Sequence, residues 1–291
     1  MTYAVKLSDP DFGASLRRVA DAQIAGAIAA LSQPDPRVDG IHRARKSIKK
    51  TRAFLRLFRP VWSGSGPEIR ALRNSARLVA GHRDLTVQLE TLNRLTETVL
   101  DSYVTALLRR HLLLTRTWAE TSSLPGQIGD MRHSLAVIRN RIPQWTPTRC
   151  DWADISAGLA RTMDRAETTR LRARQDKDPE ALHEWRKHVK DHWYHLRLLR
   201  PVRPDKLTPR LRNFDSLGKL LGAHDDICGL RTAALAAPLG PSQQAGFHKA
   251  LDRAAAKLRK QALRMGDQLA GDDPDKLIRQ WGKWERRWRR P

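Results

Sequence analysis

A positively charged segment occurs twice in the chain, and the second copy begins 141 residues after the first. The copies read IHRARKSIKKTRAFLRLFRPV (Ile41–Val61) and LHEWRKHVKDHWYHLRLLRPV (Leu182–Val202), and ten of the 21 aligned positions are identical. The same offset extends without a gap to the next segment, where it aligns Asp84 with Asp225. The repeat predicts two related helical hairpins, in halves of about 1–124 and 125–291, around a pseudo-twofold axis.

The remaining sequence is typical of helices as well. Ala, Leu, Arg and Lys dominate, strand-like alternation is missing, and stretches that contain Pro and Gly divide the chain. The predicted helical segments are roughly 11–31, 36–60, 66–122, 127–142, 151–175, 179–200, 206–237, 242–270 and 274–290, and the third is expected to break near Gly81 and around Thr96. The Asp-Pro pairs at 35–36, 178–179 and 273–274 are predicted to begin helices, because Asp caps and Pro fits the first turn. We therefore expect an all-α fold in one compact domain over residues 1–291.

The net charge of +23 indicates an anionic partner. Nucleic acid, an anionic membrane surface and a free polyanion would all suit such an excess of Lys and Arg. No stretch approaches the roughly 18 apolar residues of a membrane-spanning helix, so we expect no membrane insertion. The N-terminus lacks the apolar region of a secretory signal, and Cys150 and Cys228 form neither a metal-type spacing nor a disulfide framework. Both observations favour a cytoplasmic location.

Each repeated segment places its basic residues on one face of a helix. At about 100° per residue, the basic residues of each copy fall within an arc of about 120°, and the apolar residues fall on an adjacent arc. We name these faces strip 1 (His42, Arg45, Lys46, Lys49, Arg52 and Arg56) and strip 2 (His183, Arg186, Lys187, Lys190 and Arg197). A face that serves only solubility usually mixes both signs of charge. The near purity of both strips therefore favours a polyanion site over a solvated surface.

Further candidate residues lie in or near the strips and in the segments that follow them. Six of these residues are predicted to contact the same ligand: Arg73, Arg77 and Arg83 in the first half, and Tyr194, Lys219 and His224 in the second. We interpret Asp84 and Asp225 as carboxylates that orient a neighbouring Arg, Lys or His through a charge-assisted hydrogen bond, rather than as catalytic groups. The glycines at 81, 218 and 222 are predicted to permit close helix packing or a break.

The two strips, each followed by a segment with Gly and Asp at the same spacing, resemble the CHAD family, the conserved histidine α-helical domain. HRARKSIKKTRAFLRLF and LHEWRKHVKDHWYHLRLL carry the resemblance, which with the flanking helices covers roughly residues 8–290. It implies two four-helix-bundle-like halves whose basic helices face a central groove or pore. It also implies binding of long-chain inorganic polyphosphate, often at polyphosphate granules, and no established catalysis. The family's basic signature falls on strips 1 and 2. Trp193 stands where the first copy has Arg52, so the halves are expected to hold the ligand unequally.

Nucleic acid is the alternative partner, because RNA and DNA would also bind Lys and Arg through their phosphates. Single-strand binders interleave aromatic side chains that stack on the bases. Strip 1 has no aromatic residue within its arc, and strip 2 has only Trp193 and Tyr194. Polyphosphate is therefore the preferred ligand.

We expect no enzymatic activity, cofactor or bound metal. Some relatives are fused to a triphosphate-tunnel phosphatase, whose signature is a set of alternating glutamates. No two of the eight glutamates in this sequence are spaced by two residues, so that signature is absent. The sequence also contains no P-loop motif. Asp39-x-x-His42 and Glu180-x-x-His183, with Asp84 and Asp225, form an alternative metal-binding pattern for a helical bundle. The cations on the same faces would repel a divalent ion.

The C-terminal segment spaces Leu277, Trp281, Trp284 and Trp288 at intervals of four, three and four. This pattern predicts a helix that caps the core with its Trp side chains. The alternative is an amphipathic basic helix that binds a membrane surface or a partner.

Overall fold

The chain forms eleven α-helices in the part that the computed structural model describes, residues 3–96, 102–147, 150–176, 178–271 and 273–290. The helices are α1 (Phe12–Leu31), α2 (Asp39–Leu57), α3 (Ser65–Arg77), α4 (Ala80–Thr96), α5 (Ser102–Ser122), α6 (Leu124–Arg141), α7 (Trp152–Gln175), α8 (Pro179–Leu199), α9 (Pro204–Ala234), α10 (Pro241–Leu269) and α11 (Pro274–Arg289). Short 3₁₀ turns follow α6 and α8. These residues contain no strand, and the predicted all-α fold is confirmed.

Local capping chemistry explains where α8 and α11 begin. Asp178 and Asp273 each accept a hydrogen bond from the backbone N–H two residues further on, and the proline after each occupies the first helical turn, as predicted. The same prediction for Asp35 was wrong. Its carboxylate accepts hydrogen bonds from the backbone and guanidinium of Arg37, and α2 begins only at Asp39.

The long segment predicted at 66–122 consists of α3, α4 and α5. The first break falls at residues 78 and 79, whereas Gly81 lies in the first turn of α4. A Cβ atom at Gly81 would meet nothing within 4 Å, so this glycine provides no close packing either. The predicted break around Thr96 coincides with the end of α4, and residues 97–101 lie outside the described part.

One large hydrophobic core joins both halves of the chain. It takes side chains from α1, α2, α3 and from every helix between α6 and α11. The apolar arcs of the repeated helices lie inside it, since Leu55 of α2 and Leu196 of α8 are each 0% exposed. A second cluster joins α4 and α5 with α9 and α10. Burial of these faces drives the helices together.

The contacts between helices arrange the elements around the strips. α2 contacts α8, and α4 contacts α9, so these four helices border the region between strips 1 and 2. α6 packs against α1, α3 and α5, all of which precede it. The predicted boundary at 124 and 125 therefore separates α6 from the helices on which it packs, because a sequence repeat does not determine where a connecting helix packs. The pseudo-twofold relation stays a prediction.

Polar contacts hold α2 against α8. Nη1 of Arg56 lies 2.9 Å from Oδ1 of Asp191, and Nε2 of the buried His195 donates to the carbonyl oxygen of Ala53 over 2.8 Å. Burial lowers the pKa of His195 to about 4, so this imidazole is neutral at ordinary pH. These bonds fix the relative position of the two helices that carry the strips.

α11 caps the core with its Trp side chains, as the preferred reading predicts. Trp281 is 2% exposed, and Trp284 and Trp288 are half-buried against the core. A Cβ atom at Gly282 would lie 2.6 Å from Nε1 of Trp152, so this glycine lets α11 approach α7 closely. Within the described residues, no helix combines the length and the apolar character needed to cross a membrane.

Candidate anion-binding cleft

Strips 1 and 2 lie close to each other, and we name the region between them the candidate cleft. Arg186 and Lys190 of strip 2 lie close enough to Lys49 of strip 1 to oppose its positive charge, as do Arg45 and Arg83. Partial burial and then this cationic field lower the pKa of the Lys49 amine to about 8. Effects of this kind need short separations, because salt screens charges beyond about 8 Å. Solvent still reaches the Lys49 side chain, so its amine is only partly desolvated.

Lys190 occupies the corresponding position of strip 2. Burial, together with Arg186, Lys219 and Arg197, lowers its pKa to about 8, although Asp215 lies 4.0 Å away and acts in the opposite direction. Lys219 pairs with the same carboxylate over 2.9 Å. The cationic surface of strip 2 therefore continues onto α9.

Two buried glycines of α9 make room for strip 2. A Cβ atom at Gly218 would lie 2.9 Å from Cδ of Lys190, and one at Gly222 would lie 3.4 Å from Nη2 of Arg186. The close packing predicted at these two positions is present. It allows the stems of two cleft cations to lie directly against the α9 backbone.

Asp225 of α9 holds two members of strip 2. Its Oδ2 atom lies 2.7 Å from Nδ1 of His183 and 3.2 Å from Nη1 of Arg186. Nδ1 donates the first of these bonds, since a carboxylate only accepts. The geometry is that of an orienting carboxylate with charge-assisted hydrogen bonds.

Asp84, the repeat counterpart of Asp225, has a different environment. It lies near Arg45, Arg83 and Lys49, yet no hydrogen bond to its side chain occurs among the described residues. Burial of the carboxyl group raises its pKa, and the three cations oppose this rise. Arg45 instead donates to the carbonyl oxygen of Ala76 at the end of α3, over 2.5 Å. The two halves thus hold their strips by different bonds.

The two ends of strip 1 reach neighbouring helices. At one end, burial followed by the charges of Arg83, Lys46 and Lys49 lowers the pKa of His42, so its ring is neutral near pH 7. Arg83 also lies 3.5 Å from Glu90. This end of the strip therefore meets α4.

The other end of strip 1 meets α3. Burial and then the charge of Arg56 lower the pKa of Arg52 to about 10. The negative charge of Asp191 opposes this decrease, and the positive charges of Arg73 and Arg77 add to it. Arg73 and Arg77 are exposed. They extend the cationic surface beyond the strip.

Tyr194 and His224, both predicted to contact the ligand, are buried in the structure. Tyr194 is 4% exposed, packs edge-on against Tyr3, and has its pKa raised to about 12 by burial. His224 is also 4% exposed; it lines a separate cavity, with Nδ1 3.8 Å from Sγ of Cys228. Neighbouring helical residues point about 100° apart, so His224 faces a different side of α9 from Asp225.

Some charged groups near the strips were not predicted. Burial and then the charge of Arg197 lower the pKa of Lys50 to about 8, although Lys50 lies outside the arc of strip 1. Asp191 and Asp215 bring negative charge to strips that looked nearly pure in sign. The alignment of the two copies contained one indication of these charges, because Lys50 and Asp191 occupy equivalent positions and carry opposite charges. Lys187 of strip 2 also pairs with Glu184 one turn away and with Glu180 about two turns away.

Trp193 holds cations of strip 2. Nζ of Lys190 lies 3.9 Å from the ring centroid, and the guanidinium carbon of Arg197 lies 4.9 Å from it. Both distances fall within the cation–π range. Strip 2 thus lacks the counterpart of Arg52 but gains an aromatic support for two of its other cations.

The family model for the CHAD domain matches residues 14–235. Among solved structures, PptA from Streptomyces chartreusis has a TM-score of 0.60 and 19% identity, and the match covers 87% of this chain and 99% of that chain. The CHAD domain from the plant Ricinus communis has a TM-score of 0.55 and 19% identity, with 97% and 93% covered. No curated protein matches the sequence. At these identities the two structures establish a shared fold, and the family model spans most of the chain: the chain belongs to the CHAD domain family.

Proposed function

We propose that the chain binds long-chain inorganic polyphosphate along the cleft between strips 1 and 2. The proposal rests on one observation above all, that Lys49 of strip 1 lies in the field of Arg186 and Lys190 of strip 2. A linear polyanion in this cleft would contact both strips at once. Each cation that it neutralises would release condensed counterions, as in nucleic-acid binding. Membership of the CHAD domain family supports the same ligand.

Nucleic acid is the second candidate, because the same cations would bind its phosphates. Base stacking on aromatic side chains contributes about 1–3 kcal/mol per base in single-strand binders. In strip 2, Lys190 and Arg197 already lie over the ring of Trp193, and Tyr194 is buried. The scarcity of free aromatic faces favours a polyanion without bases.

A competition experiment separates the two ligands. The full chain is titrated into labelled long-chain polyphosphate at about 0.15 M salt, and RNA, single-stranded DNA and heparin are added as competitors. We expect unlabelled polyphosphate to displace the label at the lowest phosphate concentration. Displacement by RNA or DNA at an equal or lower phosphate concentration would replace polyphosphate with nucleic acid as the ligand.

Matched variants locate the binding surface. Lys49→Glu with Lys190→Glu should greatly weaken polyphosphate binding, because both charges lie in the cleft. Arg110→Glu with Arg132→Glu changes the net charge by the same amount at exposed positions of α5 and α6, where neither arginine forms an ion pair with a described residue. This control should retain binding; an equal loss in both variants would show that net charge alone attracts the ligand.

The proposal includes no chemical change to the ligand. Asp84 and Asp225 lie among cations, which would oppose the binding of a catalytic divalent metal. Purified protein with Mg²⁺ or Mn²⁺ should therefore release no phosphate from bound polyphosphate. Phosphate release that disappears in Asp84→Asn or Asp225→Asn would contradict this. A cytoplasmic location, at polyphosphate granules, also stays a prediction.

A further inference from the structure

A second concave surface lies on another side of α9. A cavity of about 1090 Å³ opens between the end of α7, the start of α8, and helices α9 and α10. His224 and Cys228 form part of its wall, and no residue of strip 1 or strip 2 is among its described lining. Ligand sites commonly have volumes of about 300–1,000 Å³, so this cavity can hold a molecule of nucleotide size.

Five cations converge on this cavity: Arg174, Arg231, Arg259, Lys260 and Arg264. Three of them already have partners. Arg174 pairs with Asp267 over 2.6 Å, Arg231 pairs with Asp252 over 3.0 Å, and Arg259 donates to backbone carbonyl oxygens at the end of α7. These bonds hold the three arginine side chains in the cavity wall. The remaining two cations are Lys260 and Arg264.

Lys260 and Arg264 lie one turn apart on α10 and are both exposed. Neither forms an ion pair with any residue that the structure describes. Like charges at this spacing oppose helix formation, so the pair weakens α10 unless an anion lies between the side chains. A concave wall with an excess of positive charge also concentrates the potential that attracts such an anion. Together these features indicate a position for a phosphate group.

The floor beside these two cations is apolar. Ile227, Leu263, Ala255 and Ala256 line it, and Ile227 is 3% exposed while Leu263 is half-buried. A purely inorganic anion would leave this floor in contact with water. A ligand with an apolar body would cover it, and removal of apolar surface from water is favourable.

We propose that this cavity binds an organic phosphate, a small molecule whose phosphate groups pair with Lys260 and Arg264 and whose apolar body rests on Ile227 and Leu263. Nucleotides combine both chemistries and are the natural probes. The site is separate from the cleft between the strips, so the proposal stands or fails independently of polyphosphate binding.

Cys228 offers a direct reporter of occupancy. Its side chain is half-buried in the cavity wall, whereas Cys150, the other cysteine of the chain, is 1% exposed. Burial raises the pKa of the Cys228 thiol to about 11, so its reaction with a thiol reagent is slow at neutral pH and accelerates as the pH rises. A ligand in the cavity would shield the sulfur atom from the reagent.

The test measures the rate at which an uncharged thiol reagent modifies Cys228 in the full chain, with Cys228→Ser to confirm the reacting residue. ATP, adenosine and inorganic triphosphate are compared at matched concentrations and ionic strength. We expect ATP to slow the reaction about tenfold when its concentration is about ten times its Kd, by mass action. Adenosine and triphosphate should each protect clearly less, because each lacks one of the two chemistries.

Two variants with the same change in net charge complete the test. Lys260→Glu with Arg264→Glu should lose the protection by ATP while keeping the helical circular dichroism spectrum and polyphosphate binding. Arg110→Glu with Arg132→Glu should keep the protection. Equal protection by triphosphate and ATP would overturn the proposal, because the apolar floor would then contribute nothing. Absence of protection by all three compounds, or an equal loss in both variants, would also overturn it.

Discussion

Among individual residues, Lys49 and Lys190 give the clearest pH prediction, because burial and the charge of Arg186 lower the pKa of both. Both have pKa values of about 8, so a fraction of each amine is neutral at pH 8 in the free protein. A bound polyanion replaces a repulsive field with an attractive one and raises both pKa values. Binding should therefore take up protons, and the affinity should depend on pH by linkage.

The contribution of these two lysines to polyphosphate affinity should be constant below about pH 7, where both are charged in the free and bound states. It should fall as the pH rises through about 8 to 9.5. In that window the free protein loses protons that the complex keeps. Lys49→Arg with Lys190→Arg should remove most of this fall, because guanidinium groups stay protonated. Titration of both proteins across this range provides the measurement, and an identical pH dependence would exclude these two lysines as its source.

His42 should add a smaller dependence at lower pH. Burial and neighbouring cations lower its pKa below the ordinary histidine value, so its proton uptake on binding belongs to a more acidic range than that of the lysines. His42→Ala should remove part of the gain in affinity there and leave the alkaline range unchanged.

The histidine was visible in the sequence as the first residue of strip 1. The role of the lysines was not, because it follows from burial and from charges that another helix supplies.

Among the helices, the contact of α7 with α2 leaves no space for a side chain at Gly158. A Cβ atom there would lie 2.5 Å from Cα of Leu57 and closer still to its carbonyl oxygen. Backbone atoms of a buried helix cannot move aside easily, so Gly158→Ala should lower the free energy of unfolding by about 1–3 kcal/mol. Gly229→Ala is the matched control on α9, where a Cβ atom meets nothing within 4 Å. It should be neutral or stabilise by up to about 1 kcal/mol in denaturant unfolding. Equal destabilisation by both substitutions would contradict the packing.

The sequence predicted most helices and the faces that form the cleft, because both follow from local spacing. Strips 1 and 2 were identified by angle alone, and α8 and α11 begin at the expected Asp-Pro pairs. Features set by long-range contacts were missed: α6 packs on the N-terminal helices, and Asp35 binds Arg37 instead of capping α2. His224 lines a separate cavity for a related reason, since proximity in sequence to Asp225 does not place two side chains on the same side of a helix.

For the molecule as a whole, the central question is whether the two strips act as one surface. The ion pair between Arg56 and Asp191 and the shared core hold α2 and α8 in one arrangement, so a bound polyanion would meet both strips without a domain movement. A single polyanion that contacts both strips forms many charge contacts in one binding event. Two separate surfaces would instead bind two ligand segments with few contacts each.

The dependence of affinity on salt distinguishes these cases. The logarithm of the binding constant should fall linearly with the logarithm of salt concentration, with a slope of about 0.7–0.9 per contact by analogy with nucleic acid. One continuous cleft predicts a steep slope for the wild type. Lys49→Glu and Lys190→Glu should each flatten this slope, although they lie on different strips, while Arg110→Glu with Arg132→Glu should leave it unchanged. The measurement is an equilibrium titration with long-chain polyphosphate at several salt concentrations. A wild-type slope that corresponds to only one or two contacts, or a slope sensitive to one strip and not the other, would contradict a shared cleft, because a ligand that spans both strips must release counterions from each of them.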